Sequence, residues 1–176
     1  MKFCRKHFYL MRPNFNRLKS VILVGTFVAI SFINSFAQDR NYIAISSAVF
    51  DILQQANPSF ESRVEFRLGK IKLGGHPFSG VMVNSEGAMH IYMGLYYDIP
   101  LTDFLFLTPS FAPGLYAKNN SKDLKFALEF QSQIEISLKF ANGARVGVSF
   151  NHMSNATLGE ENPGVESLAL TYIIPL

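Results

Sequence analysis

Cysteine is almost absent: the 176 residues hold one, Cys4, ahead of the first apolar run. Beyond it the chain can form no disulfide and no cysteine metal site, and Cys4 is not placed as a lipoprotein cysteine. No metal-ligand spacing occurs among the other residues. Gly74-Gly75 lacks the strand-to-helix setting of a phosphate-binding loop, so no metal and no cofactor are expected. Long apolar runs are missing too. Val21 to Ile33 is too short and wrongly flanked for a confident spanning helix. After Gln38 no stretch carries a helical period.

Acidic residues are missing from the first twenty positions, where Lys2, Arg5, Lys6, Arg12, Arg17 and Lys19 stand. This basic start, the apolar run after it, and Ser35 and Ala37 at the −3 and −1 positions predict a signal peptide over 1–37, cleaved before Gln38. Its removal leaves ten bases against all thirteen acids, a net charge of −3 over 38–176. The basic balance of the whole chain therefore belongs to the leader, and no nucleic-acid partner is implied. The length after cleavage suits one domain.

The remaining sequence alternates. From Lys125 to Phe140, Glu129, Gln131, Gln133, Glu135 and Ser137 interleave with Phe130, Ile134, Ile136 and Leu138. A 3.6-residue period would scatter those apolar residues around a helix, whereas a strand gathers them on one face. Arg63, Glu65 and Arg67 interleave with Val64, Phe66 and Leu68 in the same way. Eight such runs are expected, at 42–52, 60–71, 77–85, 88–98, 104–117, 125–140, 144–154 and 165–175. Turn signals separate them, of which Asn142-Gly143 is the strongest for a tight hairpin.

Alternation alone suits a soluble sandwich or a membrane barrel. Strands of about ten residues match a tilted bilayer crossing. One face is rich in Phe, Leu, Ile and Met, and the other mixes acids with bases as a narrow lumen requires. The fold predicted is all-β: an eight-stranded antiparallel up-and-down transmembrane β-barrel over 38–176, in the cell outer membrane. Arg63, Tyr92, Tyr96 and Glu135 read as lumen filling, with His90 facing the lumen and His76 beside a turn. An apolar outer wall also leaves room for a homodimer contact.

Three polar residues break the apolar face. His152 and Ser154 share a face with Val146, Val148 and Phe150, because side chains two apart on a strand point the same way. Glu166 lies on the matching face of the last strand, with Leu168, Leu170, Tyr172 and Ile174. Two antiparallel registers place it opposite His152 or opposite Ser154. A serine hydroxyl needs a base to take its proton and an acid to orient that base, and Ser154, His152 and Glu166 fill those roles in order. The N–H groups just after Ser154 and the side chain of Asn162 are candidates for an oxyanion hole. Asn155 and Asn162 also read as ordinary turn residues. With short turns inside and long loops outside, the three residues are expected at the outer rim, facing lipid.

Phe150-Asn151-His152-Met153-Ser154-Asn155-Ala156, then Asn162-Pro163-Gly164, Glu166 and the closing Leu170 to Leu176, resemble the PagL-type lipid A 3-O-deacylases, outer-membrane acyl hydrolases. Tyr96-Tyr97-Asp98 and Leu107-Thr108-Pro109-Ser110-Phe111 resemble stretches of that family too. The resemblance implies a serine esterase that removes the 3-O-linked acyl chain of lipid A in lipopolysaccharide. By it Ser154 is the nucleophile, His152 the base, Glu166 the orienting acid and Asn162 part of the oxyanion hole. Thr157 departs from the glycine common in the family, and Leu176 from the terminal phenylalanine of many barrels. Two other readings of the chain are a non-catalytic outer-membrane barrel serving as adhesin or structural protein, and a soluble lipocalin-like binder.

Overall fold

The computed structural model describes residues 40–71 and 74–176; the expected signal peptide over 1–37 and its cleavage point lie outside the described residues. The chain runs through β1 (Tyr42–Phe50), β2 (Ser59–Arg67), β3 (His76–Asn84), β4 (Met89–Tyr96), β5 (Ile99–Pro100), β6 (Leu105–Ala117), β7 (Leu128–Lys139), β8 (Arg145–Ser154) and β9 (Val165–Pro175). Every pairing is antiparallel. The ring closes where β1 meets β9 and where β4 meets β6. Eight long strands thus form the wall. The ninth piece, β5, is a two-residue ladder against Phe106 and Leu107 within the β4–β6 connection. Followed once around the ring, the pairing returns to its starting strand roughly ten residues away, the stagger that tilts strands in a closed barrel.

The eight strands lie where the alternation puts them, with shorter ends. The first stops at Phe50 because Asp51 turns left-handed, with φ 58°. The second stops at Arg67, short of 71, because the Gly69 N–H leaves the ladder for the Asn41 side chain. The run from Lys125 pairs as regular strand only from Leu128, since Lys125 has φ 68°. In each case the two-residue alternation of the sequence outlasts the backbone pairing.

Parity decides which side chains face the lumen. On β2 the residues Glu61, Arg63, Glu65 and Arg67 are all buried, while Phe60, Val64 and Phe66 are exposed. Glu129, Gln131, Gln133 and Glu135 of β7 are buried as well. Buried charges need partners. Arg67 spans the lumen between Glu65 and Glu135, 2.9 Å from each, and the Tyr92 hydroxyl donates to Glu65 at 2.9 Å. Arg63 pairs with Glu61 and donates to Asn151, and Ser167 donates to Glu61 at 2.8 Å. The outer face is apolar: Ile134, Ile136, Val148, Leu168 and Leu170 are all exposed. The polar core is therefore inside the ring and the greasy surface outside it.

Candidate active site

Positions 152 and 154 lie in the last three residues of β8, and position 166 is the second residue of β9, on either side of the loop 155–164. Even-numbered residues of both strands point outward, as Val148, Phe150, Leu168 and Leu170 show by their exposure. His152, Ser154 and Glu166 share that parity. Of the two registers open to the sequence, the strands take the one that sets His152 opposite Glu166. Ser154 is placed opposite Phe130 of β7.

The histidine and the acid meet directly. His152 Nδ1 lies 2.9 Å from Glu166 Oε1. A carboxylate accepts, so Nδ1 carries the proton and Nε2 is left as the basic nitrogen. The imidazole is 46% exposed and the carboxylate only 14%, so the ring can be approached from outside while the acid is shielded behind it. The Glu166 backbone is pinned by the Ile52 N–H, which donates to its carbonyl at 3.0 Å. Ser154 is next to His152 on this face. Among the described residues its hydroxyl makes no hydrogen bond to the ring.

The loop after Ser154 folds on Asn155. That side chain is fully buried, and its Nδ2 donates to the carbonyls of Leu124 and Glu161 at 3.0 and 2.8 Å. Asn155 is thus a structural tie between two loops, more than the turn residue its type suggests. The Asn155 N–H donates to Asn162 Oδ1 at 3.1 Å. That group, the first donor after Ser154, is therefore occupied; the N–H groups of Ala156 and Thr157 lie outside this bond, as does Nδ2 of Asn162. Ala156 and Thr157 have φ of 51° and 62°, and the Leu158 N–H closes the turn on the Asn155 carbonyl at 3.0 Å. A left-handed threonine is costly. Thr157 adopts the backbone that glycine would adopt freely.

The neighbouring loop carries Leu124 and is itself ordered by charge. The Lys118 ammonium and the Lys125 N–H hold the Asp123 carboxyl below the usual carboxylate range. Among the described residues no three histidine, cysteine or carboxylate groups gather as metal ligands. His90 is buried in the lumen, and His76 stacks on Tyr96 with ring centroids 4.7 Å apart. One site residue escaped the sequence reading. Gly164, at φ 60°, lies against the His152 ring; its only sequence signal is its place after Asn162-Pro163.

A closed eight-stranded ring with paired charges inside and an apolar wall outside is a transmembrane β-barrel of the outer membrane. The family model for PagL, lipid A 3-O-deacylase, matches residues 55–175, and the chain belongs to that family. The lipid A deacylase PagL of Pseudomonas aeruginosa is 47% identical over 55 residues, covering 31% of this chain. The match spans about a third of that relative's length, 32%. The crystal structure of the outer membrane enzyme PagL superposes with a TM-score of 0.59 at 26% identity, over 76% of this chain and 99% of that one. Two further barrels share the fold alone. A de novo designed transmembrane β-barrel has a TM-score of 0.56 at 6% identity, covering 79% of this chain and 98% of its own. Neisserial surface protein A has 0.52 at 9%, covering 78% and 96%.

Proposed function

We propose that this protein is a serine esterase that hydrolyses the 3-O-linked acyl chain of lipid A, with Ser154, His152 and Glu166 as its catalytic triad. The observation that carries the reading is the 2.9 Å contact from His152 Nδ1 to Glu166 Oε1, on an apolar outward face with Ser154 two residues along. A carboxylate on such a face is expensive unless a partner stabilises it. Family membership supplies the substrate class.

In this reading Ser154 Oγ attacks the ester carbonyl carbon and its proton passes to His152 Nε2. The oxyanion is met by a free N–H of the 156–157 turn and by Asn162 Nδ2. The bond from the carbonyl carbon to the sugar oxygen then breaks, and that oxygen takes the proton from His152. Water, activated by the same nitrogen, releases the fatty acid from the serine. Glu166 holds Nδ1 and offsets the charge of the imidazolium. Residues 1–37 act as the export signal, and the loops 118–127 and 155–164 face the cell exterior. This sets the triad at the outer rim, level with the ester bonds of outer-leaflet lipid A.

Mass spectrometry of lipid A from cells expressing the wild type or Ser154→Ala tests the proposal. The wild type is expected to remove one 3-hydroxyacyl chain and Ser154→Ala none, with both barrels assembled in the outer membrane. An unchanged lipid A profile in cells carrying the assembled wild type would refute it and favour a non-catalytic barrel.

A further inference from the structure

We propose that Gly164 is a positioning residue for His152: the imidazole lies beside the space its missing side chain leaves, and a side chain there would swing Nε2 away from Ser154. Gly164 is buried. A Cβ added to it would sit 3.2 Å from His152 Cε1, 3.9 Å from Nε2 and 3.6 Å from the Met153 carbonyl oxygen. The Cε1 contact is tight enough that its neighbour must give by a few tenths of an ångström, and the backbone around Gly164 is braced. Gln54 Nε2 holds the Pro163 carbonyl at 3.1 Å, and the Ile52 N–H holds the Glu166 carbonyl at 3.0 Å. Both bonds come from the segment after β1 and pin residues on either side of Gly164. The imidazole is the half-exposed partner with room to rotate, so the ring yields. Rotation carries Nδ1 off Glu166 and misaims Nε2. The inference rests on the catalytic reading above and adds to it the feature that fixes the ring on the side away from solvent.

Position 164 also needs a left-handed backbone, at φ 60°, so an alanine would confound conformation with contact. Asparagine tolerates that backbone better than other side chains. Gly164→Asn therefore isolates the contact. In the purified full-length barrel it is expected to lower kcat on lipid A about tenfold, less than the roughly hundredfold cost of a full 1 Å misplacement, with KM unchanged. A second readout needs no turnover. With histidine labelled by nitrogen-15, the proton bridging His152 Nδ1 and Glu166 should be seen in the wild type and in Ser154→Ala, and lost in Gly164→Asn. Wild-type kcat in Gly164→Asn, or an intact bridging proton, would overturn the proposal. Should Gly164→Asn fail to assemble, His152→Ala/Gly164→Asn should restore the heat-modifiable folded band, because the ring that clashes is gone. A double variant as defective as the single one would refute the contact. Absence of hydrolysis by the wild type would sink the catalytic reading instead, and the bridging proton would then decide the placement of the ring by itself.

Discussion

A carboxylate facing lipid is costly, and the cost measures what its partner contributes. Glu166 is largely shielded and has one oxygen on His152 Nδ1; its other oxygen, Oε2, is buried and makes no hydrogen bond among the described residues. The substitution Glu166→Gln keeps the shape and removes the charge that would stabilise an imidazolium. On the proposed mechanism, kcat for ester release should fall by about two to four orders of magnitude, with the barrel equally resistant to unfolding. An assay of purified protein on lipid A in detergent checks this, and an unchanged kcat would remove Glu166 from the triad. The parity of these three residues was legible because strand alternation is a period of two and His152, Ser154 and Glu166 keep it. Their partnership was not. Two registers satisfied the same parity, and only the backbone ladder selects the one that pairs His152 with Glu166.

The strands are joined across the lumen as well as along their edges. Arg67 on β2 reaches Glu65 on its own strand and Glu135 on β7, while Tyr92 on β4 donates to Glu65. None of β2, β4 and β7 borders another of the three in the sheet order. The network therefore acts as internal cross-bracing. Removing the Arg67 cation takes the direct ion-pair partner from two buried carboxylates, so Arg67→Met should cost about 3–5 kcal/mol. Urea unfolding from lipid vesicles reads that loss, and a change below 1 kcal/mol or so would mean that water already screens the pair. The sequence announced that charges fill the lumen, since acids and bases share one parity on β2 and β7. It did not announce which acid meets which base. That choice depends on barrel diameter and on the stagger between strands, which are properties of closure. The loop at 155–164 was hidden for a different reason: its shape rests on side-chain amides of Asn155 and Asn162 bonding backbone, and on left-handed turns at Ala156 and Thr157, none of which leaves a periodic trace.

At the scale of the molecule, the apolar surface is the solvent contact. Leu170, in the middle of β9, is exposed outward between Leu168 and Tyr172. On a soluble protein, arginine at such a site would be nearly neutral. In a bilayer Leu170→Arg should cost about 2–4 kcal/mol, measured by unfolding from vesicles, and an effect near zero would contradict lipid contact at that depth. The closure of the ring also bears on timing. Glu166 sits on the same strand that shuts the barrel against β1, and a lone pair of strands is marginal in water. The register that sets Glu166 opposite His152 belongs to the β8–β9 pair, and that pair gains its further support where β9 meets β1. On the proposed mechanism, assembly of the barrel and completion of the hydrolytic machinery are then the same event.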